Sequence, residues 1–318
     1  MSELAGSRIL VTGALGQIGT DLVKSLREIH GSENIIASDI RVIPNHPCIL
    51  GGPFSVLDVL DEDRISKIVE NENIRVIYHL AAILSAKGEE NPELCELINV
   101  VGTRNILEAA KRYSIRVFVP SSIAVFGPDA PKHAPQITPL NPTTKYGITK
   151  VDCEIMGMLY WKKYGVDVRG IRYPGLISWQ SPVSGGTTDY AVEIFHSAIS
   201  SFQSYECFVR PDTKLPMMYM DDAIRATIAL MDVPIESLSD ARCGYNISGF
   251  SFTAEELSSE IKKHIPNFIC TYKPDIRQRY ADSWPNSVDD SVARNDWNWS
   301  ANFKLATLVN DMLLNLKR

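Results

Sequence analysis

The stretch that decides the fold is Arg8-Ile-Leu-Val-Thr-Gly-Ala-Leu-Gly-Gln-Ile-Gly19, near the amino terminus. An apolar run is followed by three glycines, Gly13, Gly16 and Gly19, and an amphipathic segment continues from them. This order predicts a buried strand, a tight turn and the start of a helix. Glycine lets the backbone approach a pyrophosphate, and a helix N-terminus supplies free N–H groups and partial positive charge. The stretch therefore predicts a dinucleotide-phosphate site, with a plain Gly-rich turn as the alternative.

A second predicted strand, at 35–39, ends in Asp39. A carboxylate there can accept hydrogen bonds from both hydroxyls of an adenosine ribose and would repel a 2′-phosphate, which favours NAD over NADP. Arg41 is a partial counter-indication, because a nearby arginine can accommodate that phosphate. Asp58 is typical of a further strand end near the predicted adenine position, and an exposed loop acid is the alternative for it.

Strand-like and helix-like segments alternate through the first half of the chain, which predicts βαβ units and a parallel sheet covered on both faces. The fold class predicted is α/β, a Rossmann-like doubly wound parallel sheet with a smaller C-terminal substrate lobe. The predicted strands are 8–12, 35–39, 75–80, 115–120 and 168–172, and the predicted helices are 17–30, 61–72, 92–113 and 144–164.

The second half of the chain changes character. Residues 178–190 are rich in Ser, Gly, Pro and Thr and predict a loop, and residues 273–296 are irregular. Thr253 and Glu256 form a capping-box pattern. The helices predicted here are 188–201, 220–232, 253–264 and 303–316. The domains predicted are an NAD-binding domain over 1–177, to which 216–248 returns, and a substrate lobe made of 178–215 and 249–318.

The composition of the chain limits the kinds of partner it is expected to bind. The 318 residues are 45% hydrophobic and 22% charged with a net charge of −6, which suits a globular protein with a substantial core. No lysine or arginine block is present and no apolar run reaches the ~20 residues that span a bilayer, so neither nucleic acid nor membrane is expected as a partner. The cysteines and histidines form no CxxC or HExxH pattern, so no metal site is expected.

Tyr146-Gly-Ile-Thr-Lys150 is the second strong pattern, because residues four apart lie on one face of a helix. The lysine ammonium can then favour the tyrosinate, which can take a proton from a substrate hydroxyl. An ordinary helix-face pair is the alternative. Ser121 and Ser122 close the preceding strand, where a hydroxyl can bond the reacting oxygen or simply satisfy local backbone.

Several motifs in one order resemble the extended short-chain dehydrogenase/reductase family. The resemblance implies that Ser122, Tyr146 and Lys150 are the catalytic set, because Ser122 stands three residues before Val125. Phe126 departs mildly from a family position that is commonly tyrosine. The segments that carry the resemblance are Thr12-Gly-Ala-Leu-Gly-Gln-Ile-Gly19, His79-Leu-Ala-Ala82, Asn99-Val-Val-Gly-Thr-Arg-Asn105, Tyr146-Gly-Ile-Thr-Lys150 and Tyr219-Met-Asp-Asp222.

The same resemblance implies NAD as the cofactor. The residues expected to bind it are Gly13, Gly16, Gln17, Ile18, Gly19, Asp39, Asp58, Val59, Leu80, Ala81, Ala82, Asn99, Tyr146, Lys150, Tyr173 and Pro174.

Within the family, the segment Arg172-Tyr-Pro-Gly175 lacks the Asn usual in nucleotide-sugar enzymes. Together with 82–89, 184–191 and 282–285 it looks like the branch that oxidises L-threonine to 2-amino-3-ketobutyrate. The substrate residues expected are Ser85, Gly185, Gly186, Thr187, Thr188 and Trp284. Hydroxyl and N–H groups of these loops could bind the threonine carboxylate, and ordinary loop material is the alternative. Trp284 could close the pocket or simply pack in the lobe.

Two other functions stay open on the sequence, a nucleotide-sugar epimerase or dehydratase and a non-catalytic NAD-binding protein. By family analogy, the helices at 92–113 and 144–164 are expected to pair across a two-fold axis into a homodimer. The resemblance also implies a mitochondrial location, with cytoplasm as the alternative, because no presequence pattern is visible.

Overall fold

The computed structural model describes Leu4, residues 6–180 and residues 186–317. The strands are β1 Arg8–Thr12, β2 Ile35–Asp39, β3 Phe54–Val56, β4 Ile74–His79, β5 Arg116–Phe118, β6 Ser121–Ser122, β7 His133–Ala134, β8 Val168–Arg169, β9 Ile171–Tyr173, β10 Gly175–Ile177, β11 Ser204–Cys207, β12 Lys214–Tyr219, β13 Tyr245–Asn246, β14 Phe250–Thr253, β15 Ile269–Tyr272 and β16 Ser287–Val288. The helices are α1 Gln17–His30, α2 Pro47–Leu50, α3 Glu62–Asn71, α4 Ser85–Glu90, α5 Pro92–Glu96, α6 Gly102–Tyr113, α7 Lys145–Tyr164, α8 Tyr190–Ile199, α9 Met220–Asp232, α10 Ala254–Lys262, α11 Arg277–Asp282, α12 Ser291–Trp297 and α13 Leu305–Leu316.

The main sheet is parallel, with the strand order β3-β2-β1-β4-β5-β8. Strands β6 and β9 continue β5 and β8 in the same register, since Phe118 pairs with Arg169 and Ser121 with Arg172, and β13 adds beyond β9. The chain builds β2 and β3 on one side of β1 and then places β4 on the other. The switch point, where ligands bind in such sheets, therefore lies at the carboxyl ends of β1 and β4.

The strand side chains alternate between two separate cores. Val11 and Tyr78 pack on the face that carries α1 and α9, whereas Leu10 and Ile77 pack on the face that carries α3 and α6. Because both faces are covered by helices, the strands are apolar throughout, as β1 and β2 show. This confirms the predicted fold class of a doubly wound α/β sheet.

A second group of elements lies beyond the main sheet. Strand β12 pairs parallel with β10 and antiparallel with β14, and β11 pairs with β15. Helices α8, α10 and α13 pack together beside them around a core that includes Phe195, Phe252 and Leu308. No helix within the described residues has the length and apolar content needed to cross a membrane.

The predicted helices and strands agree best with the structure where the sequence pattern is regular. Helix α9 has the predicted bounds, and Thr253 and Glu256 form the predicted capping box at α10. The helix predicted over 92–113 is interrupted by a π-helical segment, Leu97–Val101. The prediction that 273–296 is irregular was wrong, because α11, β16 and α12 lie there. The division into domains stays a prediction. The pairing of β13, which lies in the 216–248 segment, with β9 agrees with the return of that segment to the first domain.

Candidate active site

The glycine turn closes the end of β1 at the switch point. Gly13 has a φ of +64°, and a Cβ there would lie 2.6 Å from the Ala81 nitrogen. A Cβ at Gly19 would lie 2.4 Å from the Gly13 carbonyl oxygen. At Gly16 an added Cβ would meet only that same oxygen, at 3.2 Å. The first and third glycines are thus required by backbone packing, whereas the second leaves open space in which a pyrophosphate fits.

Helix α1 begins directly after this turn. Its N-cap is Gly16, which offers no side-chain cap to the first N–H groups, those of Gln17 and Ile18 among them. These N–H groups and the positive end of the helix dipole suit an anion. The turn and the helix start therefore fit the diphosphate of a dinucleotide.

Asp39 lies buried at the end of β2 and accepts a hydrogen bond from the Leu15 N–H at 3.2 Å. The backbone N–H and the side-chain Nε of Arg41 both donate to its Oδ1 at 3.0 Å, and a terminal guanidinium nitrogen donates to Oδ2 at 3.2 Å. Burial raises the pKa of Asp39, but the hydrogen bonds and charge of Arg41 outweigh burial, so the net shift is downward. Asp39 is therefore an ionised acceptor at the place predicted for the ribose.

The loop after β4 carries Leu80, Ala81 and Ala82, and Asn99 fixes its course. Asn99 Oδ1 accepts from the Ile83 N–H at 2.8 Å, and its Nδ2 donates to the Ile83 carbonyl at 3.0 Å. The side chain of Asn99 is thus committed to this loop and buried. It shapes the surface predicted to face the cofactor.

Two predicted adenine-side residues follow β3. Asp58 Oδ1 accepts from the Leu60 N–H at 2.9 Å, so this carboxylate also shapes its own turn. Val59 is buried, and its carbonyl accepts from Asn105 Nδ2 at 3.1 Å. On the other side of the sheet, the Tyr173 hydroxyl is bonded to Thr227 within the core, so its hydrogen-bonding capacity is used there.

His79 is a residue that sequence reasoning did not single out. It is buried at the end of β4, with Nδ1 2.9 Å from Thr12 Oγ1. Burial, and then the charge of Lys150, lower its pKa to about 3, so the imidazole is neutral. Its Nε2 has no hydrogen-bond partner among the described residues. Its place in the His79-Leu-Ala-Ala82 segment was the available signal.

Tyr146 and Lys150 lie on the first turns of α7, which Thr144 caps by accepting the Gly147 N–H at 3.1 Å. Lys150 Nζ lies 5.7 Å from the centroid of the Tyr146 ring. The same nitrogen donates to the Pro120 carbonyl at 2.9 Å, and the lysine is buried. The predicted Tyr–Lys pair is therefore together on one face of the helix.

Ser121 and Ser122 differ in what they contact, because successive strand side chains point to opposite faces. Ser121 is buried and donates to Glu154. Ser122 is half-buried, and its Oγ accepts from the Ala124 N–H at 3.1 Å, which leaves the hydroxyl hydrogen for another oxygen. Of the two serines, only Ser122 has a hydroxyl hydrogen available for a substrate.

The predicted substrate residues come from three separate segments. Ser85 begins α4, and a Cβ added at Gly88 of that helix would lie 3.6 Å from the Tyr146 Cβ, so α4 packs beside the tyrosine. Thr188 lies against the backbone of Gly175 at the start of β10, with 2.8 Å between its Cγ2 and a Cβ added there. Thr187 is buried.

The remaining predicted substrate residues are distributed differently. The Gly186 N–H donates to Asp189 Oδ2 at 2.7 Å, which closes the turn before α8. Gly185 lies outside the described residues. Trp284 is buried in the apolar core of the second group of elements, against which the Tyr146 ring also packs.

The fold and site define a dinucleotide-binding α/β protein with a glycine turn at the switch point and a Ser–Tyr–Lys set on β6 and α7. Comparison with known families is in agreement. The chain belongs to the NAD dependent epimerase/dehydratase family, whose sequence model matches residues 9–247. The predicted family resemblance and the predicted cofactor, NAD, are thereby confirmed.

Named relatives are similar over nearly the whole chain. The mitochondrial L-threonine 3-dehydrogenase of Bos taurus is 48% identical over 98% of this chain and 83% of its own length. A structure described as a monomeric L-threonine 3-dehydrogenase from a metagenome is 53% identical, with a TM-score of 0.93 over 97% of this chain and 98% of its own. The L-threonine dehydrogenase of Clostridium difficile is 43% identical, with a TM-score of 0.96 over 98% of each chain.

Proposed function

We propose that this protein oxidises L-threonine with NAD to give 2-amino-3-ketobutyrate. The observation that carries the proposal is the arrangement of Ser122, Tyr146 and Lys150 at the carboxyl end of the sheet whose switch point carries the glycine turn. It is supported by relatives named L-threonine 3-dehydrogenase that match nearly the entire chain.

Tyr146 acts as the base that removes the hydroxyl proton of threonine. Lys150 is held by the Pro120 carbonyl, which fixes its positive charge near the tyrosine ring. Ser122 donates its hydroxyl hydrogen to the alcohol oxygen and stabilises the charge that develops there. NAD, when bound, supplies the hydride acceptor for the carbon that bears this oxygen.

The glycine turn and the start of α1 would hold the diphosphate, and Asp39 would accept the ribose hydroxyls. Leu80, Ala81 and Ala82 line the middle of the site on the loop that Asn99 fixes. These residues would bind the dinucleotide along the carboxyl ends of β1 and β4, and NAD would supply the hydride acceptor there.

The substrate side has to bind a small zwitterion. We assign the carboxylate of threonine to Ser85, Thr187 and Thr188, whose hydroxyls and N–H groups are donors, because the Gly186 N–H already donates to Asp189. We assign the wall of the pocket on this side to Trp284, which is buried in the core of the second group of elements. Helix α4, which begins with Ser85, packs beside Tyr146 at Gly88, so this helix brings a carboxylate donor to the tyrosine side of the site.

The test is the Tyr146→Phe variant, which keeps the ring and removes only the hydroxyl. Turnover of L-threonine, followed as NADH formation, is expected to fall by at least about 100-fold because the base is lost. NAD affinity, measured by calorimetry, should stay unchanged. Tyr164→Phe is the control on the same helix and should keep full activity. Oxidation of threonine by Tyr146→Phe at the parent rate would falsify the proposal.

The same assay separates the two other functions with a substrate panel. L-Threonine, L-serine and a uridine or guanosine diphosphate sugar are each added with NAD. An epimerase or dehydratase would transform the sugar nucleotide without net NADH release, and a non-catalytic protein would bind NAD and turn over none of them.

We further propose a homodimer formed through α5 and α7. Ile148, Ile155 and Leu159 lie along one side of α7 and are 43%, 63% and 52% exposed, and Leu94 on the adjacent α5 is 40% exposed. Such an apolar stripe is typical of a subunit interface. Ile155→Glu should convert a dimer to a monomer in sedimentation velocity, whereas Phe202→Glu, elsewhere on the surface, should not. A parent protein that sediments as a monomer at all concentrations rejects this assignment.

A mitochondrial location is proposed from the Bos taurus and Sus scrofa relatives, whose names give that compartment. Fluorescence of the tagged full chain in its own cells, compared with a mitochondrial marker, tests it. A diffuse cytoplasmic signal would favour the alternative.

A further inference from the structure

Helix α7 carries a third polar residue in line with the proposed catalytic pair. Tyr146, Lys150 and Glu154 are spaced four apart, so all three lie along one face of the helix. Glu154 is only 9% exposed, and the mechanism proposed above does not use its charge. A buried carboxylate at this place requires a structural reason.

Two of these helix residues bind consecutive residues of one strand end. Lys150 Nζ donates to the Pro120 carbonyl at 2.9 Å, and Ser121 Oγ donates to Glu154 Oε1. The next residue along the strand is Ser122, which supplies the proposed donor to the alcohol oxygen. The Ser121 bond to Glu154 therefore lies between the carbonyl that anchors the lysine and the hydroxyl that contacts the substrate.

Glu154 is itself held from several sides. Arg172 on β9 donates to both carboxylate oxygens, from Nε at 2.9 Å and from a terminal nitrogen at 2.8 Å. The other terminal nitrogen donates to Asn246 Oδ1 on β13 at 3.1 Å. A bidentate pair of this kind fixes orientation as well as charge. Glu154 thus ties α7 to three adjacent strands.

The backbone confines the same carboxylate. A Cβ added at Gly244 would lie 2.5 Å from the Glu154 Cδ, so the chain leading into β13 packs directly on the carboxyl group. Since the Glu154 carboxylate is bonded by Ser121 and Arg172 and is enclosed by Gly244, its position is fixed. A fixed carboxylate can in turn hold Ser121, and with it the strand end, in one place.

We propose that Glu154 is a positioning residue that sets the Pro120–Ser122 strand end against α7 through Ser121. The inference rests on the proposed function for its effect on the rate. It assigns to Ser121 and Glu154 no contact with substrate or cofactor. Their loss displaces the lysine anchor and the Ser122 hydroxyl together, so it lowers kcat and leaves the binding of NAD and substrate nearly unchanged.

The first test is Ser121→Ala, which removes the bond and creates almost no space. The kcat for L-threonine is expected to fall by about 10- to 100-fold, because a misplacement of about 1 Å is enough to cause such a loss. KM and NAD affinity should stay within about threefold, a split that general destabilisation does not produce. Ser258→Ala, at a buried serine of α10, is the matched control and should keep kcat. A kcat for Ser121→Ala within twofold of the parent overturns the proposal.

The second test is a double-mutant cycle with Glu154→Gln, which keeps the shape of the side chain. If both residues act through one bond, the double variant loses no more in kcat than the worse single variant. Additive losses in log kcat overturn the proposal. If Glu154→Gln fails to fold, the Ser121→Ala result decides alone.

Hydrogen exchange supplies a readout that needs no turnover. In NAD-bound Ser121→Ala, amides of the 116–126 segment should exchange faster than in the parent, while those of α10 stay unchanged. Unchanged exchange at 116–126 contradicts the proposal. If the parent does not oxidise L-threonine at all, the proposed function fails, and this measurement still tests the positioning role.

Discussion

The cofactor side and the substrate side of this site are built in different ways. The glycine turn, proposed to bind the dinucleotide, is one continuous stretch of sequence that contributes backbone groups. The proposed substrate side combines Ser85 at the start of α4, Thr188 before α8 and Trp284 after α11. A site made of backbone N–H groups can be recognised locally, whereas a site made of distant side chains exists only once the chain has packed.

The largest expected effect comes from a substitution in the glycine turn on the cofactor side. Gly13→Ala forces a side chain into a φ of +64° and against the Ala81 nitrogen at 2.6 Å. It should lower the free energy of unfolding by more than about 3 kcal/mol and abolish NAD binding. Gly165→Ala shares a positive φ, of +70°, but meets nothing within 4 Å, so it should cost only about 1 kcal/mol. Urea denaturation measures both, and equal losses would show that backbone crowding at Gly13 is unimportant.

The next effect concerns Asp21 on α1, the helix that joins the cofactor side to α9. Burial, and then the charge of Asp221, raise the pKa of Asp21 to about 6, and neither of its carboxylate oxygens has a hydrogen-bond partner among the described residues. Because the folded pKa exceeds the unfolded value, the folded state binds more protons between pH 4 and pH 6. Stability should therefore fall as pH rises through this range, by roughly 2 kcal/mol relative to Asp21→Asn.

Denaturant titrations of both proteins at a series of pH values measure this difference. The gap between the two proteins should widen as pH rises through 6 and then level off, and below pH 4 it should be smallest. A gap that grows toward acid pH would mean that the Asp21 carboxylate is stabilised by the fold.

A smaller effect is expected from a substitution on the substrate side. Ser85→Ala removes one proposed donor to the threonine carboxylate, so KM for L-threonine should rise by about tenfold, equivalent to one charge-assisted hydrogen bond. NAD affinity should not change, because the residue lies on α4 and outside the glycine turn. Lys87→Ala, an exposed position of the same helix, is the control for helix stability. A rise in KM with Lys87→Ala as large as with Ser85→Ala would reject the role of the hydroxyl.

The smallest effect concerns Arg41. Its three donors and the Leu15 N–H already bond both oxygens of Asp39, so ribose hydroxyls have to displace the guanidinium. The arginine side chain is 57% exposed, and exposed pairs contribute at most about 1 kcal/mol. Arg41→Ala should therefore tighten NAD binding by about threefold in calorimetry, and Arg64→Ala should not. Weaker NAD binding would instead show that Arg41 contacts the dinucleotide.

The sequence predicted the first half of the fold well because its strands are buried and its helices are amphipathic. Strands β1 and β2 and helix α1 have their predicted bounds. The short strands β10 to β12 and β15 were not predicted, because they stand outside the regular alternation of strand and helix patterns that marks the first half. Their pairing partners are far apart in sequence.

The candidate site shows the same division. The Tyr146–Lys150 pair was evident from spacing, since four residues make one helical turn. The partners of Asn99 and of Glu154 were not evident, because Ile83 and Ser121 reach them only through packing of separate elements. The π-helical segment around Asn99 likewise has no simple sequence pattern.

The sequence alone determined the doubly wound class, the phosphate turn and the helical spacing of the tyrosine and lysine. These features depend on local backbone conformation and on short-range periodicity, which a few neighbouring residues set. Only the tertiary structure decided which serine hydroxyl is left to bind another oxygen and that Arg41 is bonded to the Asp39 carboxylate. It also decided that Glu154 binds the strand end through Ser121. Those facts depend on which side chains contact each other between elements that are distant in sequence. Buried polar groups need a correctly placed partner, because an unpaired one is costly away from water.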